Sequence, residues 1–134
     1  MRKNPPRQPS KVSRPYRIKA TIKGVERIWL EISYHYKKRN HEYLKGCEKR
    51  GVKPDSNRLF NNKVICDMVQ QLHKKELESK KPNYFAFKGV VDNRNKRTYT
   101  IIIKIDENFP EFVGFINLLY LNKKKGRIIN LIRN

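Results

Sequence analysis

Apolar side chains change their period several times along the chain. From Tyr16 to Lys23 they alternate, with Tyr16, Ile18, Ala20 and Ile22 on one side and Arg17, Lys19, Thr21 and Lys23 on the other. A period of two predicts a short half-buried strand with a cationic outer face, ended by Gly24. From Val25 to Arg50 the spacing becomes three, four and seven, and Val25, Ile28, Trp29, Ile32, Tyr36, Tyr43 and Cys47 share one stripe. That predicts a single long amphipathic helix stopped at Gly51. Its other side carries Arg27, Tyr34, Lys37, Lys38, His41 and Lys45, a basic surface with rings between the charges. Val52 to Ser56 reads as a turn with Asp55 or Ser56 as N-cap, and a second helix is predicted from there to about Ser79. Phe60, Val64, Ile65, Met68, Leu72 and Leu77 would form its buried face.

Beyond Ser79 the pattern turns to β. Tyr84 to Val91, Arg97 to Ile105 and Glu111 to Leu121 are rich in aromatic and β-branched residues, and Asp92–Lys96, Asp106–Pro110 and Asn122–Gly126 separate them as polar turns. Ile128, Ile129, Leu131 and Ile132 suggest a last strand. The order β-α-α-β-β-β-β predicts one α+β domain over residues 16–134: an N-terminal strand and two helices packed on a four-stranded antiparallel sheet. Residues 1–15 differ, with Pro5, Pro6, Pro9 and Pro15, five basic residues and no acid. They read as an extended, disordered basic arm, either a solvated tail or linker or a strap along a phosphate backbone.

Charge narrows the function most. Among 134 residues, 32 Lys and Arg face 12 Asp and Glu, a net charge of +20. Self-repulsion of that size favours a polyanionic partner, and nucleic acid supplies one negative charge per ~1.7 Å of duplex. The seven Tyr, six Phe and one Trp argue against a disordered chain. No apolar run approaches the ~20 residues of a membrane span, the start Met1-Arg-Lys-Asn-Pro-Pro lacks the apolar stretch of a secretion signal, and no membrane partner is expected. Cys47 and Cys66 read as reduced, buried thiols, which suits the cytoplasm.

The common catalytic signatures are missing. There is no GxxxxGK[ST], GxGxxG or GxSxG, and no Cys pair or His pair at zinc-binding spacing. His35, His41 and His73 are scattered, and the acids form no compact pair for a two-metal nuclease. No metal and no cofactor is expected.

Metal-free RNA cleavage needs less: a group to activate the ribose 2′-hydroxyl, cations around the phosphorane, and a proton for the leaving oxygen. The strands carry such groups in Lys88, Arg97, Tyr99, Lys104 and Tyr120, and His41 lies on the polar side of the first helix. These six are the candidate catalytic residues. Candidate nucleic-acid contacts are Arg2, Lys3, Arg7, Lys11 and Arg14 in the arm and Arg27, Tyr34, Lys37, Lys38 and Lys45 on the first helix, with Arg94, Lys96, Lys123, Lys124 and Arg127 in the turns. RNA is favoured over DNA because that chemistry requires the 2′-hydroxyl and because rings on a sheet stack unpaired bases.

The arrangement resembles the RelE-type mRNA interferases and, more broadly, the barnase–EndoU–colicin–RelE ribonuclease superfamily over residues 16–133. The resemblance is carried by the strand Tyr16–Lys23, the two helices, Tyr84-Phe-Ala-Phe-Lys-Gly-Val-Val, Arg97-Thr-Tyr-Thr-Ile-Ile-Ile-Lys-Ile-Asp and Phe112-Val-Gly-Phe-Ile-Asn-Leu-Leu-Tyr-Leu-Asn-Lys. It implies a metal-independent endoribonuclease toxin acting on RNA or at the ribosome, with an acidic antitoxin or immunity protein covering its basic sheet face. Three departures stand out: a long first helix, the proline-rich arm, and no terminal helix bearing a tyrosine, which leaves the general acid and base unassigned.

Each candidate has a plain alternative. Lys88 and Lys104 keep a strand soluble, Tyr99 and Tyr120 belong to the core if their face meets the helices, and His41 is ordinary surface. His35 and Glu31 would form a helical i,i+4 pair, and Trp29 fits the core stripe. For the whole protein the alternatives are a non-catalytic nucleic-acid-binding accessory protein, ribosome-associated or phage- or plasmid-encoded, and a basic fragment of a larger assembly.

Overall fold

A computed structural model describes residues 14–120, the last of these by its backbone alone. Strands β1 (Tyr16–Ile22) and β2 (Val25–Ile32) precede helix α1 (Tyr34–Arg50), a 3₁₀ turn at Ser56–Arg58 and helix α2 (Asn62–Gln70). Then come β3 (Glu78–Lys81), β4 (Tyr84–Asp92), β5 (Arg97–Lys104) and β6 (Phe112–Tyr120). The strands form one six-stranded sheet in the order β1-β2-β6-β5-β4-β3. The fold is α+β as expected, but the sheet is mixed rather than four-stranded and antiparallel, because β2 pairs with β6 in parallel from Trp29↔Phe112 to Ile32↔Phe115. The suggested strand at 128–132 and the arm at residues 1–13 lie outside the described residues.

The largest correction falls at Val25–Ile32, expected as the first two turns of a helix and found as β2. Both periods fit these eight residues, since Ile28, Leu30 and Ile32 also alternate. The turn before them decides: Lys23 and Gly24 both take positive φ, 55° and 78°. A two-residue loop of that kind folds β1 and β2 into a hairpin, with Ile22 opposite Val25. Trp29, Glu31 and Arg27 consequently leave the predicted helix. Glu31 is in β2 and His35 in α1, so they are not a helical pair.

Helix α1 begins where its real cap stands. The Ser33 hydroxyl accepts the Tyr36 N–H at 3.0 Å, and Gly51, at φ 66°, ends the helix in the left-handed conformation. The second helix is also shorter than expected. Asn61 caps it by accepting the Val64 N–H at 2.9 Å, and it stops at Gln70 because the next side chains turn to the sheet. Gln71 pairs through its amide with both backbone groups of Val91, at 2.8 Å each. Gln70 and His73 accept the N–H groups of Lys19 and Thr21 at 2.8 and 2.9 Å. They occupy the outer edge of β1, which would otherwise invite pairing with another chain. At the other edge β3 is short, exposed and lysine-bearing.

Helix α2 thereby reaches both β1 and β4, although three strands separate these two in the sheet. The sheet curls around it: Lys23 Nζ, at the β1–β2 turn, lies 4.7 Å from the centre of the Phe85 ring of β4. Register breaks in β1–β2, β3–β4, β4–β5 and β5–β6 supply the bending. Inside the curl Ile65, Met68, Val69 and Leu72 meet Ile22, Leu30, Ile32, Ile101, Ile103, Val113 and Phe115, all but excluded from solvent. Cys47 is buried and Cys66 half-buried, both as free thiols. Among the described residues no helix is long and apolar enough to cross a membrane.

Candidate functional site

Helix α1 runs beside β5 and β6, the two central strands, and an open cavity of about 410 Å³ lies between helix and sheet. One wall is α1, where Tyr36, Arg39, Asn40 and Tyr43 share a face at helical spacing. The second is the segment around the 3₁₀ turn, with Asp55, Asn57, Arg58 and Phe60. The third is the sheet, with Arg97 and Tyr99 of β5 and Asn117 and Leu118 of β6.

The floor is aromatic. Tyr99 is 6 % exposed and receives Phe60 edge-on at 5.4 Å between ring centres. Tyr36 packs edge-on against Phe115 at 4.8 Å. The Arg58 guanidinium stacks 4.2 Å from the centre of the Tyr43 ring, and the Tyr43 hydroxyl accepts the backbone N–H of Asp55 at 2.9 Å. One tyrosine of α1 thus holds both the turn and the arginine on it.

Three guanidinium groups and a single carboxylate line the cavity. That carboxylate, Asp55, is turned toward its own backbone, its Oδ1 accepting the Asn57 N–H at 2.9 Å. Burial pushes the Tyr36 hydroxyl up to about 12, against the opposing pull of a hydrogen bond from Asn40. Its phenol is therefore neutral at physiological pH, able to donate a hydrogen bond and unsuited to taking a proton. No histidine lines the cavity, and among the described residues no cluster of His, Cys, Asp and Glu has the makings of a metal site. The lining offers cations for phosphate oxygens, rings for stacking and amides for hydrogen bonds.

Of the candidate catalytic residues, Arg97 and Tyr99 meet in this cavity, and Tyr120 is opposite Tyr99 in the β5–β6 register. Lys88 and Lys104 project from the other face of the sheet, since Lys88 is opposite Thr100 and Lys104 follows Ile103. Lys104 borders a separate hollow of about 150 Å³ together with Glu31 and Asp106, its ammonium 5.7 Å from the centre of the Tyr84 ring. His41 is exposed on α1, outside the cavity lining. The sheet therefore separates Lys88 and Lys104 from Arg97 and Tyr99.

Three expected nucleic-acid contacts have structural partners. Arg27 is 3 % exposed and donates to the carbonyls of Ile22 and Pro110 at 2.8–3.1 Å, which ties the β1–β2 hairpin to the loop before β6. Arg94 braces the β4–β5 hairpin. Lys37 is half-buried over the Tyr16 ring, whereas Arg14, Tyr34, Lys38, Lys45 and Lys96 are exposed. Arg2, Lys3, Arg7, Lys11, Lys123, Lys124 and Arg127 lie outside the described residues. Arg39, Arg58, Asn57 and Asn117 were missed by the sequence reading, and Tyr36, Tyr43 and Phe60 were assigned to cores. The available signal was the polar pair Arg39–Asn40 within the Tyr36–Tyr43 stripe, where a core-facing stripe carries none.

Set against protein families, curated proteins and solved structures, the chain matches none of them.

Proposed function

We propose that this protein binds single-stranded RNA, with an unpaired nucleotide in the cavity between α1, the 3₁₀ turn and strands β5 and β6. The observation that carries this reading is the convergence of Arg39, Arg58 and Arg97, from three separate segments, around a floor of Tyr36, Phe60 and Tyr99. Guanidinium forks suit phosphate oxygens, and aromatic rings stack bases that are free of a duplex. A volume of about 410 Å³ suits one small ligand unit, and a base paired within a helix cannot reach a recessed floor. The +20 charge of the whole chain adds a sequence-independent attraction.

The test is fluorescence anisotropy with labelled single-stranded RNA, its duplex, and single-stranded DNA of the same sequence. Single-stranded RNA is expected to bind tightest, and Arg39→Ala, Arg58→Ala and Arg97→Ala each to weaken it. Binding unchanged in all three, or preference for duplex, overturns the proposal.

A second reading is metal-independent RNA cleavage, favoured by Arg97 and Tyr99 lying in one cavity with two further phenols. Cations and neutral phenols stabilise a phosphorane, but the high value at Tyr36 deprives the reaction of a base there. Cleavage of single-stranded RNA in EDTA, abolished by Arg97→Ala, would establish it, and an acidic inhibitor protein would then be the expected partner. Intact RNA bound at saturation would reject it.

A further inference from the structure

The outer edge of β1 is closed by the chain that leaves α2. Thr21 turns both of its backbone groups to this edge: its carbonyl accepts the Lys74 N–H at 2.8 Å, and its N–H donates to Nδ1 of His73 at 2.9 Å. Two residues earlier, the Lys19 N–H donates to the side-chain oxygen of Gln70 at 2.8 Å. Lys74 takes a left-handed φ of 59°, uncommon outside glycine. Of the three bonds, one depends on an acceptor that can gain a proton. A backbone N–H only donates, so His73 Nδ1 must keep its lone pair, and the proton of the neutral ring sits on Nε2. Protonation puts a hydrogen on Nδ1 and turns the acceptor into a donor that faces another donor. The Gln70 oxygen and the Thr21 carbonyl have no such second state.

We propose that His73 is a proton-operated latch on the β1 edge, closed while its imidazole is neutral and released when the ring becomes an imidazolium. The charged groups around it are mostly cations. Along β1 and its turn they are Arg17, Lys19 and Lys23, and after the helix Lys74 and Lys75, all exposed. Asp67, the carboxylate of α2, is engaged by Asn93 at 2.8 Å and Gln71 at 3.3 Å, and Glu76 and Glu78 border a hollow shared with Lys23 and Lys75. Histidine is the side chain that ordinarily changes charge between about pH 8 and pH 5, a range in which carboxylates and lysines ordinarily keep theirs. What the latch uncovers is a strand edge with an unpaired N–H, the kind of edge to which another strand adds.

The experiment follows the amide and imidazole resonances of the isotopically labelled full chain by NMR from pH 8 to pH 5. The Thr21 amide proton is expected to move upfield with the midpoint of the His73 ring. Its exchange with water, corrected for the intrinsic effect of pH, should quicken about fivefold relative to that of Lys19, the worth of roughly one hydrogen bond. His73→Asn puts a non-titrating oxygen in place of Nδ1 and should hold the Thr21 amide constant over the same range. His73→Ala removes the acceptor and should give the faster exchange already at pH 8. A Thr21 amide that ignores the His73 midpoint, shifts equally in His73→Asn, or exchanges alike in the wild type and His73→Ala at pH 8 overturns the proposal. The wild-type titration decides by itself should either variant fail to fold.

Discussion

Arg94 folds back over Asp92, two residues earlier, and neutralises a carboxylate that has no exposure to solvent. Its Nη2 is 2.7 Å from Asp92 Oδ2 and its Nε 3.0 Å from Oδ1. The same guanidinium donates from Nη1 to the carbonyls of Ser56 and Leu59 at 3.1 and 2.9 Å and covers the Phe60 ring at 5.2 Å. A residue of the β4–β5 turn thus holds the segment that forms one wall of the cavity. Arg94→Ala would strand a buried charge, at a cost of about 3 kcal/mol in urea unfolding. Arg94→Lys restores the charge without the fork and is expected to fall between the two.

The same pair gives a dependence on acid. Hydrogen bonds from Arg94, opposed by burial, hold the Asp92 carboxyl below its ordinary range. A depressed value in the folded state stabilises the fold above the unfolded value of about 3.9, and that stability is lost as pH falls through the folded value. Urea midpoints measured from pH 5 down to pH 2 should decline more steeply in the wild type than in Asp92→Asn. Parallel curves would exclude Asp92 as the source.

Tyr36 produces the opposite limb. With its hydroxyl at about 12 when folded and about 10 when unfolded, the unfolded chain loses this proton first. Stability is then complete below pH 10 and decreases as pH rises toward 12, by roughly 2–3 kcal/mol at the end of that window. Tyr36→Phe should lack this portion of the alkaline slope, measured by denaturant unfolding between pH 9 and pH 12.

How much of this was legible in the sequence differed from element to element. Strands β4, β5 and β6 were visible because runs such as Thr98–Ile103 are β-branched or aromatic throughout. Residues Val25–Ile32 carry a stripe that suits a helix as well as a strand, and the outcome rests on pairing with β1 and with the distant β6, which no local spacing contains. The 3₁₀ turn is held by Arg94 and Asn95, 35–38 residues away, so the gathering of Arg58 and Asn57 beside Arg97 could not be read from their neighbours. Arg97 and Tyr99 were legible because strand alternation puts them on one face. Lys88 and Lys104 were grouped with them before a face could be assigned, and the register puts them on the other.

Counting the arginines is the direct way to test the cavity as a phosphate site. Each phosphate contact on a single strand contributes about 0.7 to the slope of log affinity against log salt. Arg39→Ala, Arg58→Ala and Arg97→Ala should each flatten that slope by about this amount, while Lys45→Ala, exposed on α1 and outside the cavity lining, should weaken binding less. Slopes that respond equally to all four would mean diffuse attraction with no defined phosphate positions.

The stack of Arg58 on Tyr43 separates positioning from contact. The ring holds the guanidinium at 4.2 Å, and the hydroxyl independently holds the turn through the Asp55 N–H. Tyr43→Phe removes the second and keeps the first, so it should loosen the turn by about 1 kcal/mol and lower RNA affinity only slightly. Tyr43→Ala removes both. Arg58 then loses its platform and must be ordered by the ligand, and affinity should fall about as far as in Arg58→Ala, with the double variant no weaker than either single one. Additive losses in the double variant would show that Tyr43 touches the ligand itself rather than acting through Arg58. Anisotropy titrations of the four proteins at one salt concentration distinguish these outcomes.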